Sequence, residues 1–304
     1  MSRKMRDNLR AYLFLSPWLI SLLLFTAYPM LASFYFAMTR YTIINPPEWI
    51  GIENFVVMFT KDELFWVAVN NTLYFTLLSV PLQLIAALMM ATLLNQSTRG
   101  IGFYRTAFYL PTLVPAVVTT LLWMLILDPR AGLANGALEA LGLPKLGWMY
   151  SVAWSKPALI LISLWVGLGQ PMLIFLAGLK DVPKSLLEAA TIDGANGWQR
   201  YWQVVVPLLT PTIFFNLLIT LIASFQVFTT AFVATATAAG TTAAGPLNSL
   251  LVFMVHLYRQ GFRYSAMGYA SAMAVVLFIV LVGVTIAMVR SSSFWVHYEG
   301  TPPR

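Results

Sequence analysis

Residues 180–211 read Lys180-Asp-Val-Pro-Lys-Ser-Leu-Leu-Glu-Ala-Ala-Thr-Ile-Asp-Gly-Ala-Asn-Gly-Trp-Gln-Arg-Tyr-Trp-Gln-Val-Val-Val-Pro-Leu-Leu-Thr-Pro211. This stretch interrupts two strongly apolar segments and has helical organisation of its own, so it is expected to be a structured loop at a membrane surface. Pro183 suits a first helical turn, and Gly194 is a natural stop. A second short helix is expected to begin after Asn196, an N-cap type, and to end before Pro207. Trp198, Tyr201, Trp202 and Val205 then fall at i, i+3, i+4 and i+7 on one face. Two short helices meet at a glycine elbow.

Composition sets the class around that loop. Of 304 residues, 59% are hydrophobic and only 10% charged, and mean hydropathy is +0.77. Soluble domains carry roughly a quarter charged residues, so the chain reads as an all-α polytopic membrane protein. Its net charge of +7 does not indicate nucleic acid, because no basic stripe with interleaved aromatics lies on a polar face. There is no cysteine, which excludes disulfides, thiolate metal sites and cysteine nucleophiles. His256 and His297 are the only histidines and give metal or histidine catalysis little to build on.

Apolar runs at 11–38, 66–94, 103–127, 157–179, 208–236 and 266–289 each approach or exceed the roughly 20 residues that cross a bilayer core. Six transmembrane helices follow, with both termini cytoplasmic. The first run, behind Arg3, Lys4, Arg6 and Arg10, reads as a retained signal anchor kinked at Pro17 and Pro29. Residues 1–65 thus hold that span and the first outer loop, 66–290 the five remaining spans, and 291–304 a short tail. Arg99, Arg105, Lys180, Lys184, Arg200, Arg290 and Arg304 join the N-terminal cluster inside. Arg40, Lys61, Arg130, Lys145, Lys156, Arg259 and Arg263 fall outside, a modest positive-inside bias. In the outer segments, Phe55, Met58 and Phe59 suggest an interfacial helix, 237–245 reads as small and flexible, and 246–258 as a short outer helix. His256 beside Tyr258 and Arg259 reads as a solvated outer edge. Tyr104, Tyr109, Trp123, Trp148 and Trp154 read as interfacial belt.

Glu188, Ala189, Ala190 and Gly194, then Val204, Val206 and Pro207, match the pattern Glu-Ala-Ala-x-x-x-Gly, nine residues, Ile-x-Leu-Pro, with Val replacing Ile and Leu. The stretch 180–207 resembles the cytoplasmic coupling loop of ATP-binding-cassette (ABC) importer permeases, lying here between spans 4 and 5. The likeness extends through Asn71-Thr72, Arg105 to Pro111 with Pro115, Gly245-Pro246-Leu247-Asn248-Ser249, and Met267 to Ala272. With its extra N-terminal span, the chain is similar to the first permease subunit of carbohydrate-uptake systems related to the maltose and glycerol-3-phosphate permeases. It departs in lacking a large outer insertion and in reading Ala244-Gly245-Pro246 for Gly-Gly-Pro.

The resemblance implies a bacterial inner-membrane, multi-pass permease that imports a sugar, oligosaccharide or polyol by alternating access. Its implied partners are a second homologous permease, a dimer of cytoplasmic ATPase subunits, an extracytoplasmic solute-binding protein and the lipid membrane, with no nucleic acid. Glu188, Ala189, Ala190, Asp193, Gly194 and Trp198 would couple to the ATPase, and Trp198, Tyr201 and Trp202 would fix the loop against the permease. The chain lacks the phosphate loop Gly-x-x-x-x-Gly-Lys-Ser/Thr, so ATP and magnesium belong on the partner and this chain is expected to be non-catalytic, with no cofactor of its own.

Near the bilayer midplane the polar groups are neutral, which suits a polyhydroxylated solute better than ion coupling. Candidates on the fourth span are Trp165, Gly169 and Gln170, beside Pro171. On the fifth they are Ser224, Gln226, Val227, Phe228, Thr229, Thr230 and Ala231, of which Ser224, Val227, Phe228 and Ala231 follow from the resemblance. Gln226 points away from the face of Ser224 and Phe228 unless the helix is irregular. The competing reading of each is structural: Ser and Thr bond their own helix or a neighbour, and Gly169-Gln170-Pro171 is a kink. Rival functions are a stand-alone carrier or channel, a membrane-embedded enzyme, and the same importer class with another cargo.

Overall fold

A computed structural model describes residues 3–96, 99–238 and 244–297, with side chains from residue 12 onward. The basic side chains of the N-terminal cluster, most of the stretch 237–245 and the tail from 298, including Arg304, lie outside that description. The chain is predominantly helical. In order come α1 (Arg3–Leu22), α2 (Tyr28–Ala37), α3 (Glu53–Thr60), α4 (Glu63–Leu94), α5 (Ile101–Leu113), α6 (Ala116–Ile126), α7 (Leu133–Ala140) and α8 (Val152–Gly167). They are followed by α9 (Gly169–Asp181), α10 (Lys184–Ile192), α11 (Gly197–Arg200), α12 (Val206–Leu208), α13 (Thr210–Phe225), α14 (Thr229–Ala238), α15 (Phe253–Tyr258) and α16 (Met267–Trp295).

Among the described residues, four helical stretches are long and apolar enough to cross a membrane: Tyr12–Ala37, Glu63–Leu94, Thr210–Ala236 and Met267–Trp295. Two bent pairs raise the number to six if each pair is one span: α5 with α6, bent by 100°, and α8 with α9, bent by 50°. The runs 103–127 and 157–179 are therefore not straight rods. Between α5 and α6, Val114 precedes Pro115 and is driven to an extended conformation at φ −78°, ψ 132° by the proline ring.

The chain divides into two compact units. The first comprises Met1–Glu63 and Leu257–Leu281. Here Pro17 sits within α1 without interrupting it, while the helix widens to a π-turn over Leu23–Ala27 ahead of Pro29. Pro29 has no N–H to donate, and the wider turn, closed by Tyr28 N–H on the Leu23 carbonyl, absorbs the mismatch. Beyond α2, a two-residue ribbon pairs Thr39 with Trp49 and Arg40 with Glu48. Buried Asn54 donates to the carbonyls of Ala37 and Thr39, both at 2.9 Å, satisfying the end of α2. Tyr269 donates to Asp62 at 2.6 Å.

The second unit comprises Leu64–His256 and Val282–Arg304. One core gathers Phe75, Leu127, Met149, Leu159, Ile162, Leu250 and Leu251, with Ala68, Ala231 and Ala234 where helices approach closely. Another joins α4 to α9 through Ala87, Ala91, Met172, Phe175 and Leu209. His256 is buried at 2% exposure and is not a solvated edge, because α15 turns its Phe253, Val255 and His256 inward together. Trp148 is likewise a structural group and not a free belt residue: its Nε1–H donates to Oδ1 of buried Asn135 at 2.9 Å, and its ring meets Trp154 edge-on.

Asp128, between α6 and α7, accepts the N–H groups of Ala131 and Arg130 at 2.9 Å, and these bonds hold its carboxyl below the usual carboxylate range. Because the folded pKa is depressed, this stabilisation is complete above the ordinary Asp value and is lost as pH falls through the depressed one. Amide hydrogen exchange at Arg130 and Ala131 is expected to accelerate across that acid window in the native chain, with no such step in Asp128→Asn.

Candidate functional site

The second unit contains a cavity of about 240 Å³ between α4, α5, α8, α9 and α13. It exists because the helices around it are broken. The 50° bend at Leu168 leaves carbonyls of α8 without helical partners, and neighbouring helices supply them. Thr112 Oγ1 donates to the Val166 carbonyl at 3.2 Å, and Gln83 Nε2 to that of Gly167 at 2.6 Å. Gly169 permits this arrangement, since a Cβ there would fall on Thr112 Oγ1 and at 3.1 Å from the Tyr109 Cα. Pro171 lies in the first turn of α9, and because it has no N–H the Gly167 carbonyl four residues back takes its hydrogen bond from Gln83 instead.

On the opposite wall α13 stops at Phe225. Gln226, at φ −98° and ψ 14°, Val227 and Phe228 leave the helix before α14 begins. The irregularity on which the direction of Gln226 depends is thus present, and its side chain is exposed at the helix end. Asn216, Thr220 and Ser224 follow at four-residue spacing and line the cavity together.

Of the residues singled out from sequence, the cavity brings together Gln170, Ser224 and Val227. Gly169 is buried beside it. Trp165 is 44% exposed, meets Trp123 edge-on at 5.9 Å and lies outside the lining. Phe228, Thr229 and Thr230 are half-buried outside the lining, Phe228 stacking on Phe232 at 5.1 Å. Ala231 has no exposed surface and packs into the core. Ser224 is engaged structurally: its hydroxyl donates to the Leu221 carbonyl at 2.7 Å and lies 3.0 Å from Thr76 Oγ1. Ser79, Gln83, Thr112, Ser163, Asn216 and Thr220 complete the polar lining and were not singled out from sequence. An amide such as Asn216 or Gln83 inside an apolar run was the available signal.

At one end of these helices lies the elbow. Val182, extended before Pro183 at ψ 121°, ends α9. α10 follows with no buried residue; Glu188 and Ala189 are exposed and Ala190 half-buried. Asp193 caps α10, and Gly194 turns the chain at φ +84°. Asn196 and Gln199 form a reciprocal capping box, both bonds at 2.9 Å, that starts α11. Arg200 Nη1 donates to Thr191 Oγ1 at 2.8 Å and ties the two short helices together. The second helix does not end before Pro207. It continues through a π-turn at Tyr201–Val205 into α12, the widened turn again accommodating a proline.

Tyr201 anchors the elbow, its hydroxyl 3.2 Å from Thr92 Oγ1 of α4, and Val205 packs on the α4–α9 core. Trp202 packs edge-on against the Tyr201 ring at 5.6 Å, whereas Trp198 covers little of its surface within the chain. The two tryptophans meet edge-on at 5.5 Å and leave much of their surface outward, Trp198 at 71% exposure, alongside exposed Leu186 and Ile192. An elbow with a carboxylate, small residues and aromatics facing out is chemically equipped to receive another protein. No atom lies near the Cβ position of Gly194, so Gly194→Ala is expected to cost only the left-handed strain, about 1–2 kcal/mol. That cost should stay local, and thermal unfolding of the purified chain should shift by a few degrees at most.

Residues 72–294 match the family described as "Binding-protein-dependent transport system inner membrane component". The chain is 42% identical, over 98% of its length and 95% of the relative, to a probable ABC transporter permease protein, YesP, of Bacillus subtilis. It is 31% identical, over 92% of its length and 88% of the relative, to the arabinooligosaccharides transport system permease protein AraP of the same organism. The sn-glycerol-3-phosphate permease UgpA of Yersinia pestis is 33% identical over 83% of each chain. Among solved structures, one chain of a bacterial alginate ABC transporter in complex with an alginate pentasaccharide-bound periplasmic protein shares the fold. Its TM-score is 0.82 at 24% identity, covering 95% of this chain and 96% of that one.

Proposed function

This chain belongs to the binding-protein-dependent transport system inner membrane components, and from that membership we propose that it is the permease subunit of an ATP-driven importer for a sugar, oligosaccharide or related polyol. It works in a bacterial inner membrane with six spans, the bent pairs counting as one each, and with both termini in the cytoplasm. A second permease completes the pathway, an ATPase dimer receives the elbow at 184–200, and an extracytoplasmic binding protein delivers the solute. Closure of the ATPase dimer on ATP moves the elbow, and the helices flanking it carry that movement to the cavity between α8–α9 and α13. The carrying observation is the joint one: an exposed elbow bearing Glu188, Ala189, Ala190, Asp193, Gly194 and Trp198 sits directly between two of the helices that wall an uncharged cavity of amides, hydroxyls and apolar surface.

The cargo class rests on two supports. The relatives' cargoes include arabinooligosaccharides, starch degradation products and glycerol 3-phosphate. The cavity wall is built of amides, hydroxyls and apolar surface without a charged side chain, which suits hydroxyls and ring faces. In the proposed pathway Gln170, Ser224 and Val227 meet the solute at this wall, and Trp165, Gly169, Gln226, Phe228, Thr229, Thr230 and Ala231, on the same two spans but outside the lining, shape the route to it.

The test is purification of the tagged chain with its partners, reconstitution into vesicles, and uptake of a panel of labelled oligosaccharides with and without ATP. Uptake that requires both ATP and a co-purified ATPase supports the proposal. Uptake by the chain alone, indifferent to ATP, overturns it in favour of a stand-alone carrier. Gln226→Leu in the same vesicles is expected to raise the half-saturating solute concentration severalfold, the cost of about one lost hydrogen bond, with assembly unchanged. An unaltered concentration dependence removes Gln226 from the pathway.

A further inference from the structure

Most hydroxyls in the spans of the second unit are engaged by the backbone. Thr72, Thr92, Thr120 and Ser224 each donate to a carbonyl three or four residues back in their own helix. This is the ordinary way to satisfy such groups in an apolar helix. Ser163 does not follow it. Its Oγ is buried without a hydrogen-bond partner, and the same is true of Nδ2 of Asn216, whose residue is 2% exposed.

Both side chains line the one cavity described above. An unsatisfied buried donor is costly, and native proteins retain one where a ligand or water completes it. Asn216 supplies an amide donor and Ser163 a hydroxyl that donates or accepts. Phe75, Ile174 and Ile219 supply apolar wall, and no ionisable side chain joins the lining. An uncharged polyhydroxylated molecule meets that chemistry, whereas an ion would leave its charge uncompensated.

We propose that Asn216 and Ser163 form a hydroxyl-binding station inside this single chain, on the elbow side of the α13 break, for an uncharged polyol or sugar. The station rests on the importer reading and extends it. Asn216 precedes Ser224 by eight residues on α13, roughly 12 Å along the helix axis, so a solute passing Ser224 and Val227 meets a second stop before leaving.

The absence of cysteine from the chain makes the test direct. Ser163→Cys, Asn216→Cys and, as a dry-core control, Ala158→Cys are introduced singly into the assembled importer. Each is exposed to a charged, water-borne methanethiosulfonate, and labelling is read on this chain after separation. Ser163→Cys and Asn216→Cys are expected to react at least about tenfold faster than Ala158→Cys, which has no exposed surface and reacts only on local opening.

Glycerol is the hydroxyl probe and glycine betaine, at equal osmolarity, the control without hydroxyls. Glycerol should slow labelling of Ser163→Cys about twofold or more relative to betaine, and addition of Asn216→Leu should abolish that difference. Equal rates in glycerol and betaine would mean a hydrated cavity that does not recognise hydroxyls and would overturn the station. Labelling as slow as at Ala158→Cys would overturn it too, as a closed and dry space. ATP-dependent uptake by the unmodified complex is scored separately, so a failed station with intact uptake leaves the importer reading standing.

Discussion

Glu188→Lys is expected to separate this chain from its ATPase while leaving it folded in the membrane. Glu188 is itself exposed on a helix with no fully buried residue, so its replacement leaves the chain's internal packing undisturbed. In the proposed complex it offers a carboxylate to a basic partner, and reversing the charge of a residue in such a contact costs about 2–5 kcal/mol. That is roughly a thirtyfold loss of affinity or more. The checks are co-purification of the ATPase with the tagged mutant and ATP-driven uptake in vesicles. Both should fall by at least about tenfold at unchanged membrane abundance and thermal stability. Full uptake with normal co-purification would remove Glu188 from the coupling surface.

Gly169→Val acts by the opposite route, through the fold itself. The new side chain would enter space occupied by Thr112 Oγ1 and the Tyr109 backbone, and a backbone neighbour cannot swing aside as a long side chain can. Separating α5 from α9 also breaks the Thr112 bond to the Val166 carbonyl and distorts the cavity wall. Overpacking of this kind costs about 1–3 kcal/mol, and the orphaned carbonyl adds about as much again. Thermal unfolding in detergent should fall by several degrees, and uptake should be lost even in protein that reaches the membrane. Normal stability would show that α5 and α9 do not approach closely here.

What could be read from the sequence depended on whether the determining contacts are local. The elbow was legible because Pro183, Gly194 and the Asn196–Gln199 pair act within four residues of themselves. The membrane class followed from composition alone. The bend between α5 and α6 is also local, set by Pro115 on Val114, yet the length and overall apolar character of 103–127 read as a single span and concealed it. The cavity was legible only in part. Gln170, Ser224 and Val227 lie on the two spans beside the elbow, whereas Gln83 and Thr112 reach the same space from α4 and α5. Only the packing of distant helices shows that an amide at 83 faces a carbonyl at 167. Burial of His256 and the Asn135–Trp148 bond have the same character: a polar residue near a span end looks solvent-facing until its tertiary partner is known.

The bend at Leu168 also orders how the chain is built into its membrane. Two α8 carbonyls depend on Gln83 and Thr112, residues of helices that leave the ribosome earlier. An orphan carbonyl in hydrocarbon costs several kcal/mol, so the bent pair is a poor lipid-facing segment until α4 and α5 stand beside it. The order of synthesis supplies those partners first. A chain permuted to emit α8–α9 before α4 would hold the bend open to lipid during translation, exposing it to quality-control proteases even though its finished contacts would be identical.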